Sequence, residues 1–457
     1  MRRRTVATIT GLLFASLVAI APAGMATEDT TEAATPGEVT ALCDGLYGPV
    51  FGVPNSEPLG PCQWDMSLIN ASDTGSYSVA TGAGVTVGVI DSGVDFSHPD
   101  IAPNLDVDLS CSFIFDHTPT ADPQEMANGD CSNKAAVQDL NGHGTHTAST
   151  VGAPINGIGI AGVAPEATLI GLKACTVEGY CFADSVAAAL RYAGDVQLDV
   201  VNLSLFADPY LYYCKSEAEQ KAILKELEGA ARYAQQQGVT IVASAGNEQA
   251  DLQHPGLDTT SPDWPPESAE ERYVKNNCRV APAELPGVIT VSATGPIGYP
   301  DYDLWIADYS SVGMSRIDVA APGGDYFQAS GTVQDGILGA MTSTDESGLW
   351  DFYDFLEGVA YPGLTVMDDG ARYIYLNGTS MSSPHAAGVA ALVRQMHPEW
   401  GPGAIKAAVQ RSAQHLDCPA DWEPLGPGDE RERCYGNEGR TSFFGHGLVD
   451  AFAAANS

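Results

Sequence analysis

Four short segments carry side chains suited to proton transfer and to the stabilisation of negative charge. Asp91-Ser92-Gly93 follows the apolar run 85–90. His143 stands between glycines in Asn141-Gly142-His143-Gly144-Thr145-His146-Thr147. Glycines on both sides let the backbone turn tightly and leave the ring accessible. A neutral imidazole accepts a proton near pH 7, as a general base must. Ser380 lies in Leu376-Asn377-Gly378-Thr379-Ser380-Met381-Ser382-Ser383-Pro384-His385, where a small-residue turn enters an apolar helix. Pro384 is expected in that helix's first turn, where a missing N–H costs little. Ser380 would then sit at the positive end of the helix, which favours developing negative charge. Asn247, in Ala245-Gly246-Asn247-Glu248, closes the run 239–246. Its amide can donate two hydrogen bonds and so hold an oxyanion.

Each segment has a plainer reading. Asp-Ser-Gly is an ordinary turn, a Ser-rich helix start is an ordinary cap, and Asn is at home in turns. His143 and His146, three residues apart, could ligate a metal. However, H-E-x-x-H is absent and no cluster of further ligands follows. The plain readings are outweighed by the combination.

The elements that must position these side chains read as an α/β protein: a doubly wound, mostly parallel sheet flanked by helices. The runs 85–90, 167–174, 199–205, 239–246, 288–294 and 317–323 are apolar and β-branched. Near-continuous apolarity marks strands buried on both faces, as in a parallel sheet. In such sheets ligands bind beyond the carboxyl ends of the strands, where Asp91 and Asn247 fall. Between runs lie helical patterns. Ser216 with Glu219 reads as a capping box, Ile223, Leu227, Ala230 and Ala234 recur at helical spacing, and Gly238 ends the helix. The next strand follows at once, giving a β-α-β crossover. Further helices are expected over roughly 380–396 and 402–414. Segments 101–140, 248–286 and 324–372 are long and polar and read as surface insertions on one domain.

The chain has 457 residues with 58 acidic against 21 basic, a formal net charge of −37. Such a surface repels nucleic-acid phosphate and favours a soluble monomer. Arg2-Arg3-Arg4 precedes an apolar run to Ile20 and small residues up to Ala26, so residues 1–26 read as a secretory signal peptide rather than a membrane anchor. The paired arginines resemble a twin-arginine signal, though the residues after them fit poorly. Residues 27–62 read as an extended leader or short propeptide, and 63–457 as the main domain. Ten cysteines in an exported chain imply disulfides, and none shows C-x-x-C spacing. Connectivity is open. Pairing each cysteine with its neighbour is one arrangement, with Cys175–Cys181 closing the shortest loop.

DSGVDFSHPD, NGHGTHTAST and NGTSMSSPHAAGVAAL, in that order, resemble the three motifs of the subtilisin-like serine peptidases (subtilases). The likeness runs from about Gln63 to Ala454, and FFGHGLVDAFAA resembles the family's closing segment. It implies a secreted, extracellular serine endopeptidase acting on protein or peptide substrates, with no cofactor required for the chemistry. Ser380 would be the nucleophile, His143 the base and Asp91 its orienting partner, with Asn247 and the Ser380 N–H as oxyanion donors. It also implies that Leu203-Ser204-Leu205 lies along the substrate and that Ser244-Ala245-Gly246 floors the first pocket. Phe206 stands where the family usually has glycine, and its ring is expected to narrow that pocket. Only 36 residues separate Thr27 from Cys62, too few for a folded pro-domain. A structural calcium site is implied at Asp100 and Asn156, with the carbonyls of Pro154, Ile158 and Ile160. An inactive binding scaffold on the same fold would lack a triad member, and none is missing. A lipase would carry G-x-S-x-G, which is absent around Ser380.

Overall fold

The computed structural model describes residues 36–296, 306–326, 330–344, 348–419, 431 and 433–457. The expected signal peptide, 1–26, lies outside them. The six apolar runs form parallel strands β1 (Thr86–Asp91), β3 (Thr168–Lys173), β4 (Val200–Leu203), β5 (Thr240–Ser244), β6 (Ile289–Thr294) and β7 (Val319–Pro322). Cys111–Ser112, inside a segment that reads as polar insertion, adds β2 at the edge. The order is β7-β6-β5-β4-β1-β3-β2, and every neighbouring pair is parallel.

The main helices are α1 (Pro36–Phe51), α2 (His143–Gly152), α3 (Ala183–Asp195), α4 (Ala218–Gln236), α5 (Leu349–Val359), α6 (Thr379–Met396) and α7 (Pro402–Ser412). Val151 of α2, Val389 of α6 and Ile405 of α7 pack with Val87, Val89 and Val291 of the sheet. Leu190 of α3 and Leu227 of α4 pack with Ile90, Val201 and Ile241 on the opposite face. The sheet is thus covered on both sides, which is why its strands lack polar alternation.

Three local readings are corrected. Helix α4 begins at Ala218 with Glu217 as its N-cap and no side-chain capping bond. Ser216 is no capping box, because its hydroxyl instead accepts a bond from Asn277 Nδ2 (3.2 Å). The leader is not extended throughout: residues 36–51 form α1. Val39, Cys43 and Tyr47 recur every four residues, so they share one helical face, and all three are buried. Third, the 324–372 segment is more than a surface insertion. It forms β8 (Ile337–Ala340), β9 (Thr365–Asp368) and the start of β10 (Ala371–Leu376), which make an antiparallel sheet of order β8-β10-β9. Together with α1 and α5 this sheet encloses a separate core around Trp64, Val366 and Tyr373.

All five disulfides join sequence neighbours: Cys43–Cys62, Cys111–Cys131, Cys175–Cys181, Cys214–Cys278 and Cys418–Cys434. The first ties α1 to the body, where Tyr47 donates to Asp335 Oδ1 (2.8 Å) and Trp64 Nε1 to the Gly336 carbonyl (3.1 Å). Closing a loop of separation 19 restricts the unfolded chain. Replacing Cys43 and Cys62 together by Ser is expected to cost about 3 kcal/mol, read as a lower urea midpoint. An unchanged midpoint would show that this cross-link contributes nothing to stability.

Candidate active site

Asp91 ends β1 at the carboxyl edge of the sheet, and the chain turns there through Ser92 and Gly93. Its Oδ1 accepts the Ser92 N–H (2.7 Å) and faces His143 Nδ1 (2.7 Å), and Oδ2 accepts the Thr147 hydroxyl (3.4 Å). With a carboxylate at Nδ1, that nitrogen carries the ring proton and Nε2 keeps its lone pair. Burial pulls the His143 imidazole down, but the charge of Asp91 and its hydrogen bond outweigh this, and the net shift is upward.

The close approach of α2 to β1 depends on two glycines. Gly142, before the helix, has φ 99°, a conformation that disfavours other residues. A Cβ on Gly144 would lie 2.1 Å from the Gly93 carbonyl oxygen. Asp139 locks this junction from below. Its oxygens accept from the Ser92 hydroxyl, the N–H groups of Asn141, Gly142 and Thr145, and the Thr145 hydroxyl, at 2.6–3.0 Å. Ser92 Oγ in turn accepts the Gly144 N–H (2.9 Å). Burial pushes the Asp139 carboxyl upward, while Lys173 and these donors pull it back in part. Lys173 pairs with Glu125 (2.7 Å), both fully buried, and donates to the carbonyls of Ser92 (2.6 Å) and Gln138 (3.1 Å).

Ser380 is the second residue of α6. Pro384 lies one turn further along than expected, as the helix's sixth residue. Its missing N–H would have bonded the carbonyl four residues earlier, which is that of Ser380. The Ser204 hydroxyl fills this role, donating to the Ser380 carbonyl (2.8 Å) while accepting from Asn202 Nδ2 (2.9 Å). The Ser380 hydroxyl itself donates to the Ser204 carbonyl (3.2 Å). Among the described residues no hydrogen bond joins it to His143, so a χ1 rotation is needed to bring the two together. Catalytic hydrogen bonds are commonly long or misaligned before substrate binds.

Asn247 Oδ1 accepts both the N–H (2.9 Å) and the hydroxyl (2.8 Å) of Thr379. That fixes which end of the amide faces outward. Asn247 Nδ2 and the Ser380 backbone nitrogen each lie 3.6 Å from the point a Cβ on Gly378 would occupy, so two donors flank one space left open by glycine.

Asp91, His143, Ser380 and Asn247 line one cavity of about 190 Å3, with Ser204, Leu205, Phe206, Ser244 and Gly246. Leu203 and Ala245 do not reach it, being fully buried in the cores behind. Phe206 lines the cavity and also packs against the cluster containing Ala245 and Val280. Cys175 and Cys181 contribute to the wall, and Tyr326 and Tyr353 come from the 324–372 segment. The sequence reading assigned no role to Asp139, Thr379, Lys173 or Ser92. For Asp139 and Thr379 a signal existed, since each stands beside a motif residue at a helix start, where short polar side chains bond backbone N–H groups.

His146 takes no part with His143: it is fully buried, and its Nε2 bonds the Ile337 carbonyl (3.1 Å). The Asp100 carboxylate is engaged by three donors. It accepts Asn156 Nδ2 (3.1 Å), the Ile160 N–H (3.0 Å) and the Tyr373 hydroxyl (2.7 Å). Asn156 thus turns donor hydrogens, not its oxygen, toward Asp100. Among the described residues no group of three or more His, Cys, Asp or Glu side chains is arranged to hold a metal.

Comparison with known proteins gives a consistent picture. The family model described as the Subtilase family matches residues 82–447. Subtilisin Savinase of Lederbergia lenta is 28% identical over 391 residues, 86% of this chain and 97% of that protein. Subtilisin E of Bacillus subtilis is 27% identical over 375 residues, 82% and 66% of the two chains. The nisin leader peptidase of Lactococcus lactis shares the fold, with a TM-score of 0.58 at 22% identity over 86% of this chain and 93% of that one.

The upward shift of His143 sets a pH expectation. Proton acceptance needs the neutral ring, so kcat/KM for a peptide should rise with an apparent midpoint above ~6.5, the ordinary histidine value. A profile flat from acid to neutral pH would contradict His143 as the base.

Proposed function

The chain belongs to the subtilase family of serine endopeptidases, and from that premise we propose that Asp91, His143 and Ser380 hydrolyse peptide bonds through an acyl-enzyme. The observation that carries this reading is the 2.7 Å contact of His143 Nδ1 with Asp91, in a cavity shared with Ser380 and Asn247. Ser380 Oγ attacks the scissile carbonyl carbon, and its proton passes to His143 Nε2. The carbonyl oxygen becomes an oxyanion between Asn247 Nδ2 and the Ser380 N–H. His143 then protonates the leaving amine as the C–N bond breaks. Water repeats the sequence: His143 takes its proton, the oxygen attacks the ester, and Ser380 is regenerated. Asp91 stays ionised and steadies the imidazolium. The substrate chain adds as a strand alongside Ser204-Leu205, its backbone bonds supplying affinity and the pockets selectivity.

For the other expectations, five disulfides support function in an oxidising, extracellular setting. Among the described residues no helix is long and apolar enough to cross a membrane. The strong negative charge favours a monomer. The disulfide and buried face of α1 favour its retention in the working enzyme, so removal of a leader would end before it. For the loop 154–160 the proposal is support by hydrogen bonds rather than calcium. Besides Asp100, Glu57 accepts the Gly157 N–H (2.8 Å) and Asp368 the Gly159 N–H (2.8 Å).

A fluorophosphonate probe should label Ser380, and Ser380→Ala should abolish both labelling and proteolysis while the protein stays folded. Labelling of another serine in that variant would overturn the assignment. A chelator should leave the melting temperature unchanged, whereas Tyr373→Phe should cost roughly 1–3 kcal/mol, the cost of leaving a buried acceptor short of a donor. A chelator-induced drop that Asp100→Ala removes would restore calcium to the loop.

A further inference from the structure

The inner wall of the catalytic cavity is acidic. Besides Asp91, its lining includes two carboxylate side chains, Asp208 and Glu248, and no lysine or arginine among the described residues. Glu248 follows Asn247, and its Oε2 lies 2.5 Å from the point a Cβ on Gly246 would occupy. The carboxyl group therefore rests on the pocket floor in space that only a glycine leaves. Asp208 follows Phe206 by two residues and is 3% exposed. One of its oxygens accepts the Cys181 N–H. Behind it stands Asp263, 6% exposed. The two carboxyl groups hydrogen-bond to one another.

A buried acid pair is short of positive charge, and in the free protein the two carboxyl groups share a proton instead. The cavity beside the pair is where a substrate side chain enters. Phe206 lines it, and an unbranched aliphatic stem passes that ring more readily than a second aromatic ring would. We infer that the pocket selects substrates with lysine or arginine immediately before the scissile bond, its stem passing Phe206 and its charged head meeting Asp208 and Glu248. This rests on the proposed function and names the substrate class of that same site. Charge-assisted hydrogen bonds to a desolvated carboxylate discriminate strongly against an analogue that lacks the donor.

The test uses the full-length protein and matched fluorogenic peptides that differ only in the residue before the cleaved bond: lysine, arginine, Nε-acetyl-lysine, norleucine and phenylalanine. Lysine and arginine should exceed acetyl-lysine and norleucine by at least about tenfold in kcat/KM. Asp208→Asn and Glu248→Gln should each shrink the lysine-to-norleucine ratio. The wild-type comparison stands even if a variant fails to fold. If Ser380 takes the fluorophosphonate label and norleucine or phenylalanine is cut as fast as lysine, the pocket inference falls and the serine-peptidase reading stands. If no peptide is cut and Ser380 takes no label, both fall.

Discussion

The site depends first on a buried negative charge that is itself no member of the triad. Asp139 lies beneath the point where β1 ends and α2 begins, and it accepts hydrogen bonds from both elements. A carboxylate in a dry interior costs several kcal/mol unless its oxygens are filled by donors. Here the donors are the first N–H groups around α2 and the hydroxyl of Ser92, so satisfying the charge and fixing the junction are one requirement. Asp91 and His143 sit at either side of that junction, which sets their separation. Lys173, held by Glu125 and by two carbonyls, braces the same turn from β3.

A complementary constraint acts on the nucleophile. Proline inside α6 leaves the Ser380 carbonyl without its helical partner, and Ser204, at the end of β4, supplies the missing donor. The start of the helix is thereby tied to the strand edge along which substrate would lie. Thr379 does the same for Asn247, filling its oxygen so that its amide hydrogens face the cavity. The helix start and the oxyanion donor are thus each held by a neighbour's hydrogen bond. Such preorganisation makes fixed dipoles worth more in a closed site than in water.

Much of this was legible in the sequence where one physical signal dominated. Long apolar runs gave six parallel strands, because burial on both faces leaves no room for polar alternation. The motifs placed Asp91, His143, Ser380 and Asn247 in one cavity, because each lies at a strand end or helix start beside glycine. Short-range signals misled where tertiary contacts competed. Ser216 is drawn to Asn277 and not to the start of α4, and α1 was hidden by a Thr- and Pro-rich composition that masked the Val39–Cys43–Tyr47 face. The long segment 324–372 reads as polar surface because its strands β8 and β9 are four residues each, too short to carry a periodic signal. The 154–160 loop meets a different limit. Residue type does not reveal whether an oxygen is already filled, and Tyr373, far away in sequence, fills Asp100.

The central claim is that these oriented groups perform acyl transfer at one hydroxyl. Its most direct test is rapid-quench mass spectrometry with a p-nitrophenyl ester of a short peptide. The account predicts a burst of nitrophenol matched by an acyl adduct on the proteolytic fragment containing Ser380. It also predicts that Asp139→Asn slows the burst on the order of 10²-fold, the cost of a small misplacement of reacting groups. An adduct on any other residue, or steady turnover with no adduct on Ser380, would contradict it.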